Sequence, residues 1–194
     1  MDIQILLDKG FSVKEYPKNA TIYEPGLLPK YVYFILTGEV RMVTVSKDGK
    51  EFIQGIFKTG QYFGEPALIV NRRYLAYTIT NKTTQIIAVG RKDFFNLIEK
   101  TPNFGLELIQ TLSNRLFYKS MMLEELSGEK AEHRLLTIID YLLADIEIGE
   151  QLNVTRRELA DMTGLRVETV IRGIKLLSDK QLIETVKGKI VRLK

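Results

Sequence analysis

The apolar positions change period along the chain. Between residues 11 and 89 they fall into short runs, 11–16, 20–23, 31–36, 40–45, 51–57, 75–80 and 84–89, and several of these alternate apolar with polar side chains as half-buried strands do. Turn formers separate them: Pro25-Gly26, Thr37-Gly38, Gly60 and Gly64, with Asp48-Gly49 predicting a two-residue hairpin turn. Many short strands punctuated in this way predict a β-sandwich or barrel, with a short apolar helix-like segment before it. From residue 101 the spacing becomes three and four. Thr101-Pro102 predicts the N-cap and first turn of a long helix. On that helix Ile109, Leu112, Leu116, Lys119, Leu123 and Leu126 form an a/d stripe with one polar interruption, as in a helix that pairs with a copy of itself. The alternative is a helix packed on its own barrel. Ser127-Gly128 predicts a hinge, and residues 131–148 a second amphipathic helix with Leu135, Leu136, Ile139, Leu142 and Leu143 on its buried side.

The most specific pattern runs from Thr155 to Lys175 and predicts two short helices in a helix-turn-helix. Thr155 and Glu158 have capping-box spacing, and Gly164 suits the turn because it tolerates positive φ. The second helix places Val167, Val170, Ile171 and Ile174 on a buried or half-buried stripe, leaving Glu168, Thr169, Arg172 and Lys175 outward. Glu168 and Arg172 lie one turn apart, so they share a face and enter one major groove together. A glutamate accepts from a cytosine amine and an arginine binds guanine bidentately. The competing reading is a surface ion pair on an ordinary helical hairpin. Further on, residues 182–186 and 190–193 flank Lys187-Gly188-Lys189, which predicts a small wing with basic residues at its tip for phosphate contact. The candidate DNA contacts are therefore Thr155, Arg156 and Arg157 at the start of the first helix, Arg166, Val167, Glu168, Thr169, Arg172 and Lys175 around the second, and Lys189 in the wing.

Charge sharpens this picture. Residues 151–194 hold ten Lys and Arg against five Asp and Glu, a net +5, while the remainder holds eighteen against nineteen: a basic tail on a neutral body. Zero cysteines exclude disulfides, cysteine-ligated iron-sulfur clusters and thiolate zinc sites. His133 is the only histidine, which disfavours haem, a multi-histidine metal site, a catalytic triad and a cupin-like enzyme, so neither metal nor catalytic residues are expected. No run approaches a membrane helix and the first residues carry no basic leader, so the expected location is cytoplasmic.

Within the β-rich part, Tyr62-Phe-Gly-Glu-Pro-Ala-Leu-Ile69 breaks the alternation. Gly64 allows close backbone approach, and Pro66 suits the first turn of a short helix whose free N–H groups can hold an anion. An ordinary glycine turn closing the barrel is the alternative. Lys119 is costly at a seam position unless it meets a counter-charge or ligand, or reaches solvent along its stem.

Order and motifs together resemble the bacterial transcription regulators typified by the cyclic AMP receptor protein and the fumarate and nitrate reduction regulator. The resemblance covers nearly the whole chain: the Phe63-Gly64-Glu65 cassette, the long helix, the segment from Gly164 to Arg172, and the wing from Leu182-Ile183 to Lys189-Ile190-Val191. It implies an α+β architecture: a β-roll sensor of cyclic-nucleotide-binding type over residues 1–100, a dimerisation helix over 101–127, and a winged helix-turn-helix over 128–194. By the same resemblance Glu168 and Arg172 are base readers, while Ile171 replaces a serine used in one branch. An effector pocket is implied at Gly64, Glu65, Pro66, Ala67, Arg72, Arg73, Leu75 and Ala76, with Lys119 and Ser120 on the long helix. Cyclic-AMP binders carry an Arg-Ser pair where Leu75 and Ala76 fall, and Arg72 and Arg73 substitute only in a displaced loop, so cyclic AMP is not the expected effector. Another small anion or organic ligand, a different nucleotide in a rearranged cassette, and a vestigial pocket are the open alternatives. The implied partners are double-stranded DNA, a second copy of the chain and, for an activator, RNA polymerase. A ligand-binding or protein-interaction module whose winged helix contacts protein is the alternative.

Overall fold

In the computed structural model, residues 3–101, 103–128, 130–144 and 146–192 are described. The chain forms two compact units, Met1–Ser113 and Asn114–Lys194. In the first, α1 (Gln4–Asp8) leads into β1 (Val13–Tyr16), β2 (Thr21–Tyr23), β3 (Tyr31–Thr37), β4 (Glu39–Val45), β5 (Glu51–Lys58) and the short β6 (Tyr62–Phe63). Then come α2 (Glu65–Val70), β7 (Tyr77–Thr80), β8 (Thr84–Gly90) and α3 (Arg91–Lys100). The strands make two four-stranded sheets, ordered β1-β8-β3-β6 and β2-β7-β4-β5, with antiparallel neighbours throughout.

The continuous apolar run of β3 follows from burial on both faces. Val32 and Phe34 join Leu6, Ile87, Val89, Phe94, Leu97, Phe104 and Leu108 in a core built partly from helices. Tyr33 and Ile35, on the opposite face, join Tyr23, Val40, Phe57, Phe63, Tyr74 and Ile86 in a second core. The second core is strongly aromatic: Tyr23 stacks on Tyr74 with centroids 3.6 Å apart, and Tyr33 on Phe63 at 5.2 Å.

Several expectations change. The β4–β5 hairpin closes through a three-residue loop, Lys47-Asp48-Gly49, because Ser46 N donates to Lys50 O at 2.9 Å and Gly49 N to Ser46 O at 2.9 Å. Leu75 and Ala76 precede β7 rather than belonging to it. Helix α3, with Phe94 and Leu97 buried, is not legible in the apolar pattern. Thr101 closes α3 instead of capping the long helix: its N–H donates to Leu97 O at 2.9 Å, and α4 (Phe104–Gly128) starts after Asn103, whose φ is 65°. Pro102 lies outside the described residues. Helix α4 runs through Gly128 without a break at Ser127-Gly128, and the division into units falls within the helix, after Ser113.

In the second unit, α5 (Ala131–Ala144) buries Leu135, Ile138 and Ile139. It stops four residues short of the expected end, because the following segment turns back: Gly149 N donates to Arg192 O at 2.8 Å and Leu152 N to Ile190 O at 2.8 Å. Then follow α6 (Arg156–Thr163), α7 (Val167–Asp179) and a hairpin of β9 (Glu184–Val186) and β10 (Lys189–Val191). Val186 pairs with Lys189, and the two residues between, Lys187 and Gly188, have φ of 49° and 77°, the left-handed pair that a tight hairpin needs.

Candidate functional site

The helix-turn-helix is built from local bonds that the sequence specifies. Glu158 N donates to Thr155 Oγ1 at 3.1 Å while Thr155 N donates to Glu158 Oε2 at 2.8 Å, a complete capping box. Gly164 ends α6 at φ 70°, a conformation costly for a side chain with a Cβ. Leu159, Ala160 and Met162 of α6 and Val170, Ile174 and Leu177 of α7 are buried. Gly173 is buried too: a Cβ added there would come 2.7 Å from Leu135 Cδ2, so its absence lets α7 lie close to α5.

On the other side of α7, Glu168, Arg172 and Lys175 are exposed, and Val167 and Thr169 half-buried. Arg172 Nε donates to the Glu168 carbonyl at 3.4 Å. Ile171 departs from the expected buried stripe: it is 52% exposed, because it lies toward the Glu168–Arg172 side rather than over α5. Arg166 is the N-cap of α7 and points to solvent. Lys189 is exposed in β10.

The first-helix candidates divide. Thr155 is spent on its cap, and Arg157 pairs with Asp161 at 3.0 Å. Arg156 is half-buried and donates to the Gly188 carbonyl at the tip of the wing, fastening wing to helix, and burial lowers its pKa. Two groups that periodicity could not reveal complete the unit. Buried Glu125 of α4 bonds His133 and Thr137 of α5, and Arg134 donates to the carbonyls of Glu125, at 3.2 Å, and Thr163, at 3.3 Å. Only the lone histidine beside an arginine hinted at them.

In the first unit, Gly64 has φ 89°, and a Cβ there would meet Tyr31 O and the Tyr33 ring at 3.3 Å each. It starts α2, with Glu65 fully buried, Pro66 exposed and Ala67 half-buried. The helix places its own acidic group, Glu65, in the first turn, which favours the glycine-turn alternative over an anion site there. Arg72 and Arg73 are exposed, and Arg73 donates to the Gly26 carbonyl at 2.6 Å. Between them and the strand, Tyr74 is buried, its hydroxyl donating to Tyr31 O at 3.3 Å and its pKa raised by burial and by Tyr33 and Tyr23. Leu75 is 85% exposed and Ala76 4%.

On α4 the exposed apolar residues are Leu106, Ile109, Leu116, Phe117 and Leu123. Leu112 of the expected stripe instead packs on the first unit's helix-lined core, while Tyr118 of the second unit stacks on Tyr141 of α5 at 4.1 Å. Placement of the Leu126 side chain lies outside the described residues. Lys119 and Ser120 are exposed.

Residues 13–101 match the family description "Cyclic nucleotide-binding domain", and residues 133–194 match "Crp-like helix-turn-helix domain". The chain belongs to the Crp/Fnr family of transcription regulators. Among Crp/Fnr relatives, it is 28% identical over 177 residues to the cAMP-activated global transcriptional regulator CRP of Pasteurella multocida, covering 88% of this chain and 85% of that protein. It is 27% identical over 178 residues to the cyclic AMP receptor protein of Thermus thermophilus, covering 92% and 82%. The fold is that of a CooA mutant from Carboxydothermus hydrogenoformans, with TM-score 0.81, 23% identity and coverage of 97% and 85%. It is shared also with the c-di-GMP responsive global regulator CLP of Xanthomonas campestris, with TM-score 0.75, 21% identity and coverage of 99% and 98%.

A Crp/Fnr sensor domain raises the question of a cyclic nucleotide. Within 72–76, Leu75 and Ala76 offer neither cation nor hydroxyl to its phosphate and the Arg73 guanidinium is bonded to Gly26, while Arg72 is exposed. Buried Glu65, by contrast, is an acceptor of the kind that suits a hydroxyl.

Proposed function

We propose that this Crp/Fnr regulator acts as a homodimer that reads a palindromic DNA site with α7, under the control of an effector other than cyclic AMP. The observation that carries the DNA reading is the exposed Glu168, Arg172 and Lys175 face of α7, mounted on a buried helix-turn-helix and flanked by a basic wing. Arg166, Val167 and Thr169 lie at the groove end of the same helix, and Lys189 contacts phosphate. The homodimer is supported by Ile109, Leu116 and Leu123, exposed at successive heptad positions of α4, with Leu106 and Phe117 widening the apolar surface. Paired copies set their recognition helices on half-sites about one helical turn apart.

Glu65, Gly64 and Ala67 contribute the pocket side of the roll, and Lys119 and Ser120 the helix side of the response. An effector shifts activity only if it binds the two states of the dimer unequally. An activator of this kind also contacts RNA polymerase.

Selection from random DNA with the purified, ligand-free protein, followed across a salt series, tests the assignment. A recovered palindrome bound by two copies supports it and establishes an unliganded state competent to bind. Weak, salt-sensitive binding without a consensus points to a missing effector, and no DNA binding in the presence of screened ligands favours a protein-contacting module.

A further inference from the structure

Ile171 is the residue of α7 whose placement differs most from its expected role. Glu168, Ile171, Arg172 and Lys175 follow one another at three, one and three residues, which sets them on one face of the helix. Val170, Gly173, Ile174 and Leu177 occupy the opposite, buried face. Ile171 is 52% exposed and, among the described residues, is the only large hydrophobic side chain left exposed on α6 or α7.

A single exposed isoleucine on a protein surface needs no special explanation. This one interrupts a charged stripe and is bounded by the two side chains best suited to base edges. Its β-branched chain also costs helix propensity that a straight polar chain would not. In the major groove, the base-pair feature that an aliphatic side chain recognises is the 5-methyl group of thymine. We propose that Ile171 is a specificity residue that reads a thymine methyl next to the base pairs contacted by Glu168 and Arg172. Its stiff branched side chain presents two apolar surfaces to the groove and no hydrogen-bonding group, so it rewards thymine without selecting against it by charge.

This inference rests on the assignment of α7 to the major groove, and the test separates the two. The selected operator is synthesised with each half-site thymine replaced in turn by uracil, which removes only the methyl group. Binding of the wild-type protein, Ile171→Ala and Ile171→Val is then measured at fixed salt. At one thymine per half-site the wild type should lose affinity about four-fold, the worth of one buried methyl-sized group. Ile171→Ala should bind thymine and uracil sites alike, whereas Ile171→Val should keep part of the preference, so that protein and DNA changes are non-additive. Because Ile171 is exposed, both variants should melt like the wild type. A wild type indifferent to every thymine-to-uracil change, or an Ile171→Ala protein that keeps the full preference, overturns the role of Ile171 while leaving a recovered palindrome and the DNA-reading assignment intact. Failure of every protein to bind DNA, even in the presence of screened ligands, overturns both.

Discussion

His133 Nδ1 lies 2.9 Å from the carboxylate of Glu125, joining the start of α5 to the last turns of α4. Thr137 Oγ1 adds a bond to the same carboxylate at 2.8 Å. Arg134 spans from the Glu125 carbonyl to that of Thr163, the residue before the turn of the helix-turn-helix. The end of the long helix, the supporting helix and the reading head are thus connected through four polar side chains that belong to no apolar stripe of the sequence.

Acid should weaken this junction. Burial pushes the Glu125 carboxyl upward, but hydrogen bonds from His133 and Thr137 and the charges of His133 and Arg134 outweigh it and hold the pKa below the usual value. A depressed folded pKa contributes stability that is present above the unfolded value of about 4.3 and is lost as pH falls through the folded one. Denaturant unfolding between pH 7 and pH 3 should therefore show a loss below about pH 4. Glu125→Gln should remove part of that loss, while costing about 1–3 kcal/mol at neutral pH through the buried bonds it weakens. An unchanged acid limb in the variant would exclude Glu125 as its source.

Base reading and phosphate positioning should separate in two variants. Arg172→Ala should cost roughly 1–3 kcal/mol on the selected site and relax preference at one base pair. Lys189→Ala should weaken all sequences alike and reduce the salt slope by about one unit, as expected when one phosphate is no longer neutralised. Equal losses on specific and random DNA for both variants would contradict this division.

The small residue at position 173 should be needed for packing. Gly173→Ala gains helix propensity of about 1 kcal/mol but forces its methyl against fully buried Leu135, where overpacking costs about 1–3 kcal/mol. Net destabilisation of about 1 kcal/mol is expected in urea unfolding, and a Gly173→Ala, Leu135→Ala double variant should be less destabilised than the sum of its parts.

Dimerisation should depend on the exposed side of α4. Leu116→Glu, at a position 68% exposed, should leave the fold intact and shift sedimentation toward the monomer. Lys119→Ala, on the same helix, should preserve the dimer and change basal DNA affinity or its ligand response. No change in either would remove Lys119 from the mechanism.

Cyclic AMP should give no heat of binding in a calorimetric titration at micromolar concentrations, because the Leu75-Ala76 pair supplies no charge-assisted bonds to its phosphate. Saturable micromolar binding would show that another cation reaches the site.

The features legible in the sequence are those settled by neighbours along the chain. Capping depends on Thr155 and Glu158, the stop of α6 on Gly164, the wing turn on Lys187-Gly188, and the order of the strands and of the helices other than α3 on period. These bonds close within a few residues, so the residue types alone decide them. Which apolar side chains are covered is another matter, since coverage depends on what packs against each face. Periodicity sets Ile171 with Val170 and Ile174, yet tertiary packing covers those two and leaves Ile171 exposed beside Glu168 and Arg172. It assigns Leu112 and Leu116 to one seam, yet the first rests on the roll core and the second is exposed. The Glu125–His133–Arg134 junction and the stacked Tyr23–Tyr74 pair bring together residues that no local pattern relates, and only the folded chain decides them.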